Sequence, residues 1–144
     1  MILDAAWAPQ PSLLGGRVFA TAGRDRMVKV WVRKAGEGGR FELGRAVAEE
    51  GPVTALDFVP EATAEGLLLL AVGTEAGRVF VLALRVEEGG EVEVVSRLAV
   101  RPELCLPKAV TQLAWRPARE GRKGRELAIA GEDGSLRIYS FLSL

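Results

Sequence analysis

Four places in the sequence carry residue types that could do chemistry. Asp25 and Asp133 are carboxylates of the kind that general acid–base catalysis pairs. The run Gly36-Glu-Gly-Gly39 has the glycine density of a phosphate cradle. Cys105, the single cysteine, is a potential nucleophile. The segment from Arg116 to Arg125 holds five cations, Arg116, Arg119, Arg122, Lys123 and Arg125, against one anion, Glu120. Such a run can meet nucleic-acid phosphate and release its counterions whatever the base sequence.

Composition limits each of these readings. The 144 residues include no His and no Asn. That removes Ser-His and Cys-His nucleophilic pairs, imidazole metal ligands and N-glycosylation acceptors from this chain. Cys105, in Leu-Cys-Leu-Pro, then reads as a small apolar filler, since nothing nearby can activate it. One cysteine also excludes an internal disulfide framework and a cysteine-rich zinc site, and fits a reducing compartment. The Gly36–Gly39 run opens no helix, which is the context a phosphate site needs. Lys+Arg and Asp+Glu both number 19, so attraction to nucleic acid or to an anionic membrane has to be local. The longest apolar stretches, Leu67 to Val72 and Val79 to Leu84, are far short of a membrane span, and Met1 leads into core-like residues without a cleavable signal. The expectation is a soluble chain, cytoplasmic and also nuclear, with no metal, cofactor or small-molecule substrate.

What positions these residues is a repeat. Ile2-Leu-Asp-Ala-Ala-Trp7-Ala-Pro9, Val53-Thr-Ala-Leu-Asp-Phe58-Val-Pro60 and Val110-Thr-Gln-Leu-Ala-Trp115-Arg-Pro117 align, each with a β-branched residue, an aromatic five positions on and a proline two further. Eighteen residues beyond each aromatic comes a turn position, Asp25, Ala76 or Asp133, and six beyond that a large residue, Trp31, Leu82 or Tyr139. Apolar residues alternate with period two, as in Val28 and Val30 or Leu136 and Ile138, so the units are made of strands. Gly23-Arg-Asp-Arg26, Thr74-Glu-Ala-Gly77 and Gly131-Glu-Asp-Gly134 are tight-turn sequences in which Asp caps local amides and Gly accepts positive φ. Asp25 and Asp133 therefore read as turn residues rather than a catalytic pair. Fourth strands are expected over Phe41 to Val47 and Val92 to Val100. Four-stranded units in series define a propeller, here with units at 1–47, 52–100 and 109–144, the last without an outer strand. Spacings of 51 and 57 residues exceed the roughly 40–45 of a compact unit, and the excess is assigned to Val32–Arg40, Arg85–Glu91 and Arg116–Arg125. Three units do not close a ring, so the chain reads as the C-terminal piece of a longer all-β propeller, whose total blade number the units themselves leave open.

Phe19-Ala-Thr-Ala-Gly-Arg-Asp-Arg-Met-Val-Lys-Val-Trp31 resembles the WD40-repeat family. Together with Ala71-Val-Gly-Thr-Glu-Ala-Gly-Arg-Val-Phe80 and Leu127-Ala-Ile-Ala-Gly-Glu-Asp-Gly-Ser-Leu-Arg-Ile-Tyr139, it is similar to the last blades of the second-subunit family of the Elongator complex. The resemblance implies a seven-bladed ring within a double-propeller scaffold, with other protein subunits as partners, in a complex that modifies the wobble uridine of tRNA, the chemistry lying in another subunit. It also implies a side-chain network of Thr21, Asp25 and Trp31. The His that usually precedes each first strand is absent throughout, leaving more of the stability to apolar packing.

Three functions stay open on the residues alone. One is a non-catalytic scaffold for protein partners, and a scaffold of an unrelated complex belongs to the same class. The second is an RNA-contacting module that uses the 116–125 hairpin on tRNA, against the plainer reading of that hairpin as solvated surface. The third is an enzyme with a site in the central channel, for which the chain offers no paired carboxylates away from its turns.

Overall fold

The structure is a computed structural model that describes residues 1–9, 17–33, 39–101, 105–117 and 124–141. These residues form three antiparallel sheets, each a meander in chain order. The first contains β1 (Ile2–Trp7), β2 (Arg17–Gly23), β3 (Met27–Arg33) and β4 (Glu42–Ala48). The second contains β5 (Val53–Phe58), β6 (Leu68–Thr74), β7 (Val79–Val86) and β8 (Val92–Ala99), and the third β9 (Val110–Trp115), β10 (Arg125–Gly131) and β11 (Leu136–Phe141). Sheets of four, four and three strands, stacked and not closed on themselves, are consecutive blades of an incomplete WD-type propeller.

The constant spacings have a backbone cause. Just after each inner strand an amide returns to the second strand: Ala8 N donates to Val18 O, Val59 N to Leu69 O and Arg116 N to Glu126 O, all at 2.8–2.9 Å. At the other end the first residue of the tight turn reaches the residue preceding the inner strand: Arg24 N to Met1 O, Glu75 N to Pro52 O and Glu132 N to Ala109 O, at 2.9–3.1 Å. A residue inserted between these two closures would slip the register and turn every side chain to the wrong face.

Alternation then decides packing. In the second sheet Phe58, Leu70, Val72, Phe80, Leu82 and Leu84 pack with Val18, Ala20, Ala22, Val28 and Val30 of the first. The intervening Ala55, Leu69, Ala71, Val79 and Val81 pack with Leu113, Trp115, Leu127, Ile129 and Phe141 of the third. Each sheet thus has a bulky leading face and a trailing face of smaller residues, and bulky meets small at both junctions. The second and third sheets come close at Gly73, where a Cβ would lie 2.5 Å from Val110 Cγ1.

Two assignments of chain length change. The 116–125 segment is no insertion: nine residues separate β1 from β2, β5 from β6 and β9 from β10 alike. The extra length before the third sheet lies in the connection 100–109, whose Leu106 is buried in the core and donates its amide to Gly77 O at 3.0 Å. Likewise β3 and β7 run two residues into the supposed excess, through Arg33 and Val86, because Val32 pairs with Glu42 and Val86 with Val92.

The three tight turns share one backbone requirement. Gly77 and Gly134 have φ of 82° and 84°, and in the first sheet the equivalent residue is Arg26 at φ 64°. A side chain in the left-handed region costs energy that glycine does not, so Arg26→Gly is expected to stabilise the chain by about 0.5–1 kcal/mol in urea unfolding.

Candidate functional site

The residues whose types suit chemistry are mostly committed to structure. Asp25 Oδ1 accepts the Met27 amide at 3.2 Å and its Oδ2 lies 3.3 Å from Lys29 Nζ. Partial loss of water pushes this carboxyl up, but the Lys29 hydrogen bond, the Met27 amide and the Lys29 charge outweigh it and leave it below its ordinary value. Asp133 Oδ1 accepts the Ser135 amide at 3.0 Å, and hydrogen bonds from the Ser135 side chain and backbone hold it below its ordinary value too. Both carboxylates therefore favour their charged, turn-capping form, and they sit in the first and third sheets with the second between them. Among the described residues no group of three or more His, Cys, Asp or Glu side chains is placed to hold a metal ion.

Thr21 Oγ1 accepts a 3.1 Å hydrogen bond from Trp31 Nε1, while Asp25 is held by Met27 and Lys29. The Trp31 ring lies beside Phe19, at 6.2 Å between centroids and nearly parallel, and Tyr139 meets Phe141 edge-on at 4.5 Å. Cys105 is partly buried, with Sγ 3.6 Å from Arg101 O. Residues 36–38 of the glycine run lie outside the described residues, as do Arg119, Arg122 and Lys123 of the basic hairpin. The hairpin's two described cations are partnered: Arg116 pairs with Glu126, and Arg125 Nη1 lies 3.2 Å from Glu61 Oε2.

Sequence reasoning missed a set of polar contacts that tie one sheet to the next. Asp4 Oδ2 on β1 accepts the Leu56 amide of β5 at 2.9 Å. Asp57 Oδ2 on β5 accepts the Trp115 amide of β9 at 2.8 Å, and Trp115 Nε1 donates to Asp57 O at 3.0 Å. Between the same strands Thr54 Oγ1 donates to Val110 O. All lie on the three inner strands. The signal was a carboxylate inside each of two otherwise apolar strands, in ILDAAW and VTALDF. A second tie is peripheral: Arg97 of β8 bridges both Glu49 carboxylate oxygens at 2.8 Å, its guanidinium 3.8 Å from the centre of the Phe80 ring. It forms one wall of an open groove of about 600 Å³ that Thr74, Val79, Val100 and Cys105 also line.

Burial pushes the Asp57 carboxyl up, the Trp115 amide pulls it partly back, and the charge of Asp4 raises it further. Because its folded value exceeds its unfolded one, the neutral acid is the form that favours folding. That contribution is full below the unfolded pKa and is lost as pH rises through the folded one. Asp57→Asn keeps an acceptor for the Trp115 amide without the charge, so it is expected to raise the thermal midpoint at pH 7 and to show little effect at pH 3. A lower midpoint at pH 7 would contradict this assignment.

Large apolar side chains are exposed on the two outermost sheet faces. The leading face of the first sheet presents Trp7, Phe19, Trp31, Phe41 and Leu43, with Trp7 63% and Leu43 50% exposed. The trailing face of the third presents Ala114, Ala128, Ala130, Leu136 and Ile138, the last two each 67% exposed. Inside the stack the equivalent faces are covered by the neighbouring sheet.

No protein-family model matches the chain. It is 37% identical over 97% of its length to Elongator complex protein 2 of Schizosaccharomyces pombe. It is 29% identical over 97% of its length to the protein of that name from Saccharomyces cerevisiae, and 29% over 88% to that from Arabidopsis thaliana. The matches cover 17%, 16% and 16% of those proteins, so the chain spans about a sixth of the length of the curated relatives it matches. The similarity is family-level homology to one part of Elongator complex protein 2.

Proposed function

We propose that the chain is a non-catalytic WD-repeat scaffold that binds other protein subunits, in a complex of the Elongator type that acts in tRNA wobble-uridine modification. Its place is the cytoplasm, extending to the nucleus. The observation that carries this reading is the similarity of 88–97% of this chain to one part of Elongator complex protein 2 of two fungi and a plant. The site supports it. Asp25 and Asp133, the carboxylates that a catalytic pair would need, cap turns, and Asp4 and Asp57 tie neighbouring sheets together.

The test is a chimera in which this chain replaces the matching part of the Schizosaccharomyces pombe protein. Co-purification of the other subunits and wobble-uridine modification are expected to persist within several-fold of wild type. A folded, expressed chimera that fails to co-purify overturns the reading. RNA contact through the 116–125 hairpin is the second reading, favoured by its five cations. Salt-dependent tRNA binding that is lost on replacing Arg119, Arg122 and Lys123 by Ser, with subunit binding intact, would support it.

A further inference from the structure

No further inference is drawn: the strongest candidate, the open groove of about 600 Å³ on the turn side of the second sheet between Arg97 and Cys105, has its charged walls already paired, Arg97 with Glu49 and Arg78 with Glu50, and nothing in the structure shows what covers its apolar floor of Val79, Phe80 and Val100.

Discussion

Gly77→Val is expected to destabilise the chain by about 3–4 kcal/mol, a large fraction of the stability of a domain this size, read as a marked fall in the urea midpoint. Two effects combine. Gly77 has φ of 82°, a region that costs a side-chain-bearing residue about 1–2 kcal/mol. In addition, a Cβ there would overlap the Leu106 and Lys108 carbonyls, which are backbone and cannot swing aside. Moving them would break the Leu106 N to Gly77 O hydrogen bond and draw Leu106 out of the core, an overpacking cost of about 1–3 kcal/mol. Gly134 is the control. It has φ of 84° with nothing within 4 Å of a Cβ, so Gly134→Val should cost only the conformational part. Equal losses at the two positions would show that the 105–108 connection does not press on the turn.

Removing Arg97 carries the second large effect. Glu49 is 3% exposed in its side chain and receives both of its 2.8 Å hydrogen bonds from the Arg97 fork. Arg97→Met strands that carboxylate. Breaking a fully buried pair costs about 3–5 kcal/mol, and because Arg97 is 47% exposed, solvent screening lowers the expectation to about 2–3 kcal/mol. Adding Glu49→Gln should recover much of the loss, since the partner then carries no charge to strand. Arg97→Lys should fall between, keeping the charge but not the bidentate geometry or the stacking on Phe80. A double variant as unstable as Arg97→Met would place the cost in the lost packing on Phe80 instead.

Glu49 and Arg97 also mark where sequence reading stops. Alternation and turn chemistry are local signals, and they place the outer strands to within a residue: β4 is Glu42–Ala48 against an expected 41–47, and β8 Val92–Ala99 against 92–100. The eighteen-residue spacing was legible because a backbone ladder enforces it in every copy. Partners across the stack were not. The acceptors of Leu56 N and Trp115 N lie 52 and 58 residues away, and a backbone amide leaves no mark in the sequence to show who receives it. The cations of the 116–125 segment looked unopposed as a run, whereas folding sets Glu61 and Glu126 beside Arg125 and Arg116. Hairpin length was misjudged for the same reason, since the added residues stood out only once the strands had fixed ends.

The order of bulky and small faces has a consequence for synthesis on the ribosome. The first sheet completes its trailing face of Val18, Ala20, Val28 and Val30 before Phe58, Leu70 and Leu82 have been translated. The second likewise finishes Ala71, Val79 and Val81 before Trp115 and Leu127 emerge. Within the second and third sheets, each aromatic or leucine-rich surface therefore meets a platform already built, and its exposure to the crowded cell ends as it forms. The hydrogen bonds run in the same direction, for Asp4 and Asp57 are translated about one repeat ahead of the amides they accept. Growth from the N-terminus thus acts as a ratchet, each finished sheet serving as the mould for its successor.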